Sequence, residues 1–131
     1  MAQNSSDKNE KLRVEALKQY NILDTFQEED YDDIVELAAQ ICQVPIATIN
    51  LIDENRQWSK AKIGIEGHEI PRSLSFCTHA IRHDDLMIVK DAKEDIRFKQ
   101  NPFVLDNPHI RFYAAIPLST PESYKIGTLA V

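Results

Sequence analysis

"IATINLIDENRQWSKAKIG", residues 46–64, is the stretch that decides the fold. Six of its first seven residues are aliphatic or β-branched, "DENR" at 53–56 supplies turn chemistry, and "QWSKAKIG" resumes with partial alternation, so the stretch predicts a β-hairpin. A tight hairpin joins antiparallel strands, whereas parallel strands need a long crossover. The sheet around this hairpin is therefore expected to be mainly antiparallel.

Upstream, Pro45 ends a helical pattern. From about Glu28 to Gln43, Tyr31, Ile34, Val35, Ala38, Ile41 and Cys42 recur at steps of three and four, predicting a helix that buries that stripe, Cys42 included. "EEDYDD" loads its first turns with acid, which suits the positive end of the helix dipole. An earlier helix is predicted over Asn9 to Tyr20 from Leu12, Ala16, Leu17 and Tyr20, and "NILDTFQEED" breaks it. Residues 1–8 are polar and expected to be a disordered tail, leaving 9–131 as the domain.

Downstream, 64–72 reads as a loop punctuated by glycine and proline. "SLSFCTHAIRHDD", 73–85, predicts a short helix capped by Ser73 or Ser75, with Phe76 and Ala80 inward. "LMIVKDA", 86–92, is a third strand, and 93–108 is irregular with one helical turn at 94–98. "IRFYAAIPL", 110–118, and "YKIGTLAV", 124–131, are the closing strands. This order is not a βαβ alternation but an α+β domain, with five to six strands in a central antiparallel sheet flanked by helices.

At 131 residues the chain is one domain, with 43% hydrophobic and 27% charged residues. A formal charge of −6 without a basic face argues against nucleic acid as a partner. The polar start lacks a signal-peptide core and no apolar run approaches the ~20 residues of a membrane span, so no membrane partner and a cytoplasmic location are expected. The two cysteines are then free thiols.

Cys77, His79 and His83 invite a metal or catalytic reading. His79 and His83 share a helical face, but Cys77 points roughly 200° away from His79 and Ala80 stands where a zincin motif has glutamate. A nucleophilic Cys77 lacks a flanking glycine-rich or elbow-like turn, and Phe76 and Ala80 suggest an apolar setting that raises the thiol pKa. Asp91, Glu94 and Asp95 read as loop caps and as partners of Arg97. No phosphate-cradling motif is present. No catalytic or metal-ligating set is assigned. Trp58, Phe76, Phe98, Phe103, Phe112 and Tyr113 remain, either as plain core or as the wall of a cleft beneath the 93–108 crossover.

"SLSFCTHAI", "MIVKDAKEDIRFKQNPFV", "NPHIRFYAAIPL" and "KIGTLAV", with the upstream "RVEALKQYNILDTFQEEDYDDIVELAAQICQVPIATINLID", together resemble a GAF domain of bacterial signalling proteins. The resemblance covers nearly the whole chain from about residue 11. It implies a PAS-related antiparallel sheet with helices on one face and a ligand pocket on the other. It further implies no catalysis, but a sensory module that binds a small molecule or forms a homodimer, fused to a downstream output such as a histidine kinase or diguanylate cyclase. Elements surrounding such a pocket carry Trp58, Phe76, Cys77, His79, Asp91, Phe98, Phe103, Arg111 and Tyr113 as candidate ligand-binding residues, Arg111 with alternation against it. The family implies no obligatory cofactor. Bilin-attaching members place cysteine directly before histidine, whereas Thr78 intervenes here, which disfavours a bilin photoreceptor; a thiol enzyme using Cys77 is the remaining alternative. The residue set of cyclic-nucleotide-binding members and the cysteines of methionine-sulfoxide-reducing members are not matched. Relatives continue past "GTLAV" into a final helix, so the sequence reads as C-terminally truncated.

Overall fold

The computed structural model describes residues 2–131, with side chains from Lys8 onward. Its elements are α1 (Ala2–Gln19), α2 (Glu29–Cys42), β1 (Ala47–Ile52), β2 (Arg56–Ile63), β3 (Glu69–Pro71), α3 (Cys77–Ala80), β4 (Met87–Val89), α4 (Pro102–Leu105), β5 (Tyr113–Ser119) and β6 (Lys125–Ala130), with a 3₁₀ turn at Arg72–Leu74. The backbone of α1 begins at Ala2, inside the stretch expected as a tail, and Met1 lies outside the described residues.

The strands form one six-stranded sheet in the order β3-β2-β1-β6-β5-β4, and every pairing is antiparallel. Alternation along β1 sorts the two faces. Ala47, Ile49 and Leu51 join the clusters that meet α2 and α1, while Ile52 joins the cluster built from α3, β4, α4 and β5. The hairpin carries a β-bulge: Ile49 pairs with Ala61 but Asn50 pairs with Ser59, leaving Lys60 extra. The bulge lets Trp58 and Ala61, three residues apart, face the same helical layer. Lys60 is buried on that side, donating from Nζ to Thr25 Oγ1 and the Phe26 carbonyl, each at 2.7 Å, and pairing with Glu28 at 2.5 Å. It thereby ties the α1–α2 linker to the sheet.

Four local expectations are corrected. Cys42 is exposed rather than in the core, because α2 meets the sheet through Val35, Tyr31, Ala38 and Ala39. Ile34, Leu37 and Ile41 sit on the other edge of the stripe, at 46%, 56% and 72% exposure. The 64–72 loop contains β3, a three-residue edge strand. Its proline is tolerated because an edge residue owes no second ladder bond. The crossover's regular helix is α4 and lies after the 94–98 turn. The Asn101 side chain caps it by accepting from Phe103 N at 2.9 Å, with Pro102 at its first position. The strand expected at 110–118 starts only at Tyr113, because Ile110 and Arg111 pair with Phe103 and Ala92 of the crossover instead.

Candidate functional site

The crossover between β2 and β5 folds over the sheet face opposite α1 and α2 and forms with it a half-open cavity of about 440 Å³. Strand alternation supplies its polar floor: Thr48 and Asn50 on β1, Ser59 on β2 and Tyr113 on β5 all reach it. Leu74, Phe76 and Cys77 form one wall, and Phe103 and Ile110 face them from the far side of the crossover. The β2–β3 loop, with exposed Glu66 and His68, and Glu69 at the start of β3 make the rim.

Asn50 is the hub of the floor and is 1% exposed. Its Nδ2 donates to Thr48 Oγ1 at 2.8 Å and lies 3.3 Å from both Cys77 Sγ and Thr128 Oγ1, while its Oδ1 accepts from Ser59 Oγ at 2.8 Å. Thr128 Oγ1 donates to Cys77 Sγ at 3.0 Å, and the same sulfur lies 2.9 Å from the Tyr113 hydroxyl. A fully paired buried network of this kind fixes its members in place. Burial pushes the Cys77 thiol up, only partly opposed by hydrogen bonds from Thr128, Tyr113 and Asn50. Burial and the adjacent sulfur likewise raise the Tyr113 hydroxyl well above its usual range. Both groups are therefore neutral at physiological pH, and neither is an activated nucleophile.

The candidate residues divide cleanly. Phe76, Cys77, Phe103 and Tyr113 line the cavity together. Trp58 does not, because pairing with Leu51 turns it to the helical face, where it packs with Leu17. Phe98 lies behind the wall, stacked on Phe76 at 4.2 Å, and half-buried His79 meets the edge of Phe98 at 5.0 Å. Burial first, then Arg82 and Arg97, lowers the His79 pKa. Asp91 is exposed and its carboxylate accepts from Lys93 N. Arg111 is also exposed, donating to the Val104 and Ile110 carbonyls. Ser75 Oγ accepts from Thr78 N at 3.2 Å, so of the two serines it is the one bonded to the helix start. His83 is exposed, and among the described residues no group of three or more metal-ligating side chains converges.

Aromatic content drew attention to the walls and away from the floor. The polar pair Thr48 and Asn50, two apart in the otherwise aliphatic "ATINLI", carried the missed signal: polar side chains at period two in a central strand mark the face that meets something other than core.

A family model described as GAF domain matches residues 28–131. A curated relative from Pseudomonas aeruginosa, named a cyclic di-GMP phosphodiesterase, is 39% identical over 122 residues, which is 93% of this chain and 21% of the relative. The chain thus spans about a fifth of that protein's length. Among solved structures, the GAF domain of an Acinetobacter phosphoenolpyruvate-protein phosphotransferase aligns with a TM-score of 0.59 at 18% identity, over 93% of this chain and 75% of that one. A type II free methionine-R-sulfoxide reductase from Thermoplasma acidophilum aligns with a TM-score of 0.63 at 13% identity, over 87% and 74%. At those identities the likeness is one of fold.

Proposed function

The chain belongs to the GAF domain family, and we propose that it is a non-catalytic sensory module that binds a small molecule in the cavity under the crossover and biases a fused signalling output. The observation that carries this reading is the cavity itself: a half-open cleft of about 440 Å³ with apolar walls and a fixed polar floor has the size and make-up of a ligand site. The burial and raised pKa of Cys77 speak against both a thiol enzyme and a covalently attached bilin. The relative at 39% identity supports an output that acts in cyclic di-GMP signalling, alongside the kinase and cyclase outputs the family resemblance implies.

Occupancy would reach the output by favouring one arrangement of the crossover over another. The wall containing Leu74–Cys77 is joined to α1 through Arg72, whose guanidinium pairs with Glu10 at 2.6 Å. A shift of that wall would pull on α1. The exposed apolar edge of α2, Ile34, Leu37 and Ile41, supports a homodimer in which a second copy covers it.

Screening the purified chain against a library of neutral and charged metabolites by thermal melting tests the ligand reading. A ligand at about 100 times its Kd adds roughly 2.7 kcal/mol and raises Tm by several degrees. The shift should vanish in Ile110→Trp, which fills the cavity. A stabilising compound whose effect survives that substitution in a folded variant places its site elsewhere.

A further inference from the structure

The charge around the cavity narrows the ligand. Resting on the reading that the cavity is a ligand site, we infer that it takes an uncharged molecule: an apolar, preferably flat body with an amide- or hydroxyl-type head directed at Asn50, and not a carboxylate or a phosphate ester, nucleotides included.

Among the described residues that line the cavity there is no lysine and no arginine. The cations on adjacent elements are engaged elsewhere. Arg56 is held by Asp24, Asp53 and Glu69. Lys62 gives its ammonium to the Ile65 carbonyl at 3.0 Å. Arg72 is paired with Glu10, and Arg111 with two backbone carbonyls. An anion entering the cavity would lose its hydration without meeting a guanidinium or ammonium, which is strongly unfavourable. At the rim, Glu66 adds a repulsive carboxylate on the way in, while Glu69 is paired with Arg56 and the exposed His68 stands away from the floor. A buried cation fares no better at the floor, where Asn50, Ser59, Cys77 and Tyr113 supply no carboxylate.

Those floor groups do suit a neutral polar head. Asn50 Oδ1 accepts from the Ser59 hydroxyl alone, so its second lone pair can take an amide N–H or a hydroxyl from the ligand without breaking the floor's own bonds. Phe76, Phe103 and Tyr113 line the cavity with aromatic surface against which a planar body can pack.

The test uses a matched pair of probes, 2-naphthamide and 2-naphthoate, which share a ring system and differ in charge. Binding to the wild-type chain is measured by ligand-observed NMR, with Ile110→Trp and Thr48→Phe as two independent cavity-filling variants and circular dichroism to confirm that each folds. The amide should bind at least tenfold more tightly than the carboxylate and be lost in a folded filling variant. Glu66→Lys, an exposed change, should bring the carboxylate up several-fold with little effect on the amide. Carboxylate binding equal to or tighter than the amide, abolished by cavity filling, would overturn the charge inference while leaving the cavity as a ligand site. Failure of both probes to bind, or binding indifferent to both filling variants, would overturn the ligand-site reading and the charge inference with it.

Discussion

Asn50 shows at single-residue scale how the floor of the site doubles as structure. It satisfies Thr48, Ser59 and Thr128 and reaches the Cys77 sulfur from one fully buried amide. Asn50→Ala leaves several buried polar atoms short of a partner, and each such group costs about 1–3 kcal/mol. Tyr113→Phe removes only the hydroxyl at the sulfur, a soft partner that keeps Thr128 and Asn50, so its cost should stay near 1 kcal/mol or less. Urea denaturation of the two variants gives the comparison, and equal losses would show that the network is not centred on Asn50. Gly127 makes a complementary demand through space alone: a Cβ there would lie 2.0 Å from the Asn50 carbonyl oxygen, so β6 can approach β1 only without a side chain. Of these residues, Thr48 and Asn50 were legible as a period-two polar pair. The involvement of Cys77 was not, because nothing local says that a helix start 27 residues on will meet that amide.

Among the elements, α1 is joined to the hairpin and the 3₁₀ turn by a polar junction outside the cavity. Arg13, 7% exposed, donates to the Ile52 carbonyl at 2.6 Å and chelates Glu10, which also takes Arg72. Burial pushes the Glu10 carboxyl up, but the hydrogen bonds from Arg13 and Arg72 together outweigh it and pull the pKa down to about 2 from its ordinary 4.5. A depressed acid contributes stability that is fully present above the unfolded value and is lost as pH falls through the folded one. The wild-type chain should therefore lose stability as pH drops from 4.5 toward 2 in part through this carboxylate. Glu10→Gln should be less stable at pH 7 by on the order of 1 kcal/mol, a figure discounted for solvent screening of a carboxylate that is 36% exposed. Its stability should also fall less steeply between about pH 5 and 3 in a series of urea titrations. Parallel pH profiles for the two proteins would remove Glu10 from the acid response. The elements were unequally legible. The hairpin and α2 announced themselves by period, but β3 and α4, with three and four residues, are too short for any period to register. The "NP" cap before α4 was the only local cue.

For the molecule as a whole, the crossover from β2 to β5 decides everything about the site. It carries most of the cavity lining, and its placement over one sheet face leaves α1 and α2 the other. The edge of α2 that α1 and the sheet do not cover exposes Ile34, Leu37 and Ile41. Leu37→Glu should shift the proposed homodimer toward monomer in light scattering across a concentration series, with the melting temperature little changed because Leu37 is 56% exposed. A wild-type chain that scatters as a monomer throughout the series rules out pairing through this face.

By itself, the order of the residues determined the antiparallel sheet and the α2 helix, because strand alternation, turn chemistry and helical period are local properties that survive without knowledge of neighbours. Tertiary structure alone decided the rest. The bulge at Lys60 set which hairpin side chains face the cavity, the docking of α2 left Cys42 in solvent, and the folded-back crossover brought Phe76, Cys77, Phe103 and Tyr113 around Asn50 while sending Trp58, His79, Asp91, Phe98 and Arg111 elsewhere. A cavity is the space between elements, and its walls are fixed by register and packing between residues far apart in the chain, which no local pattern encodes.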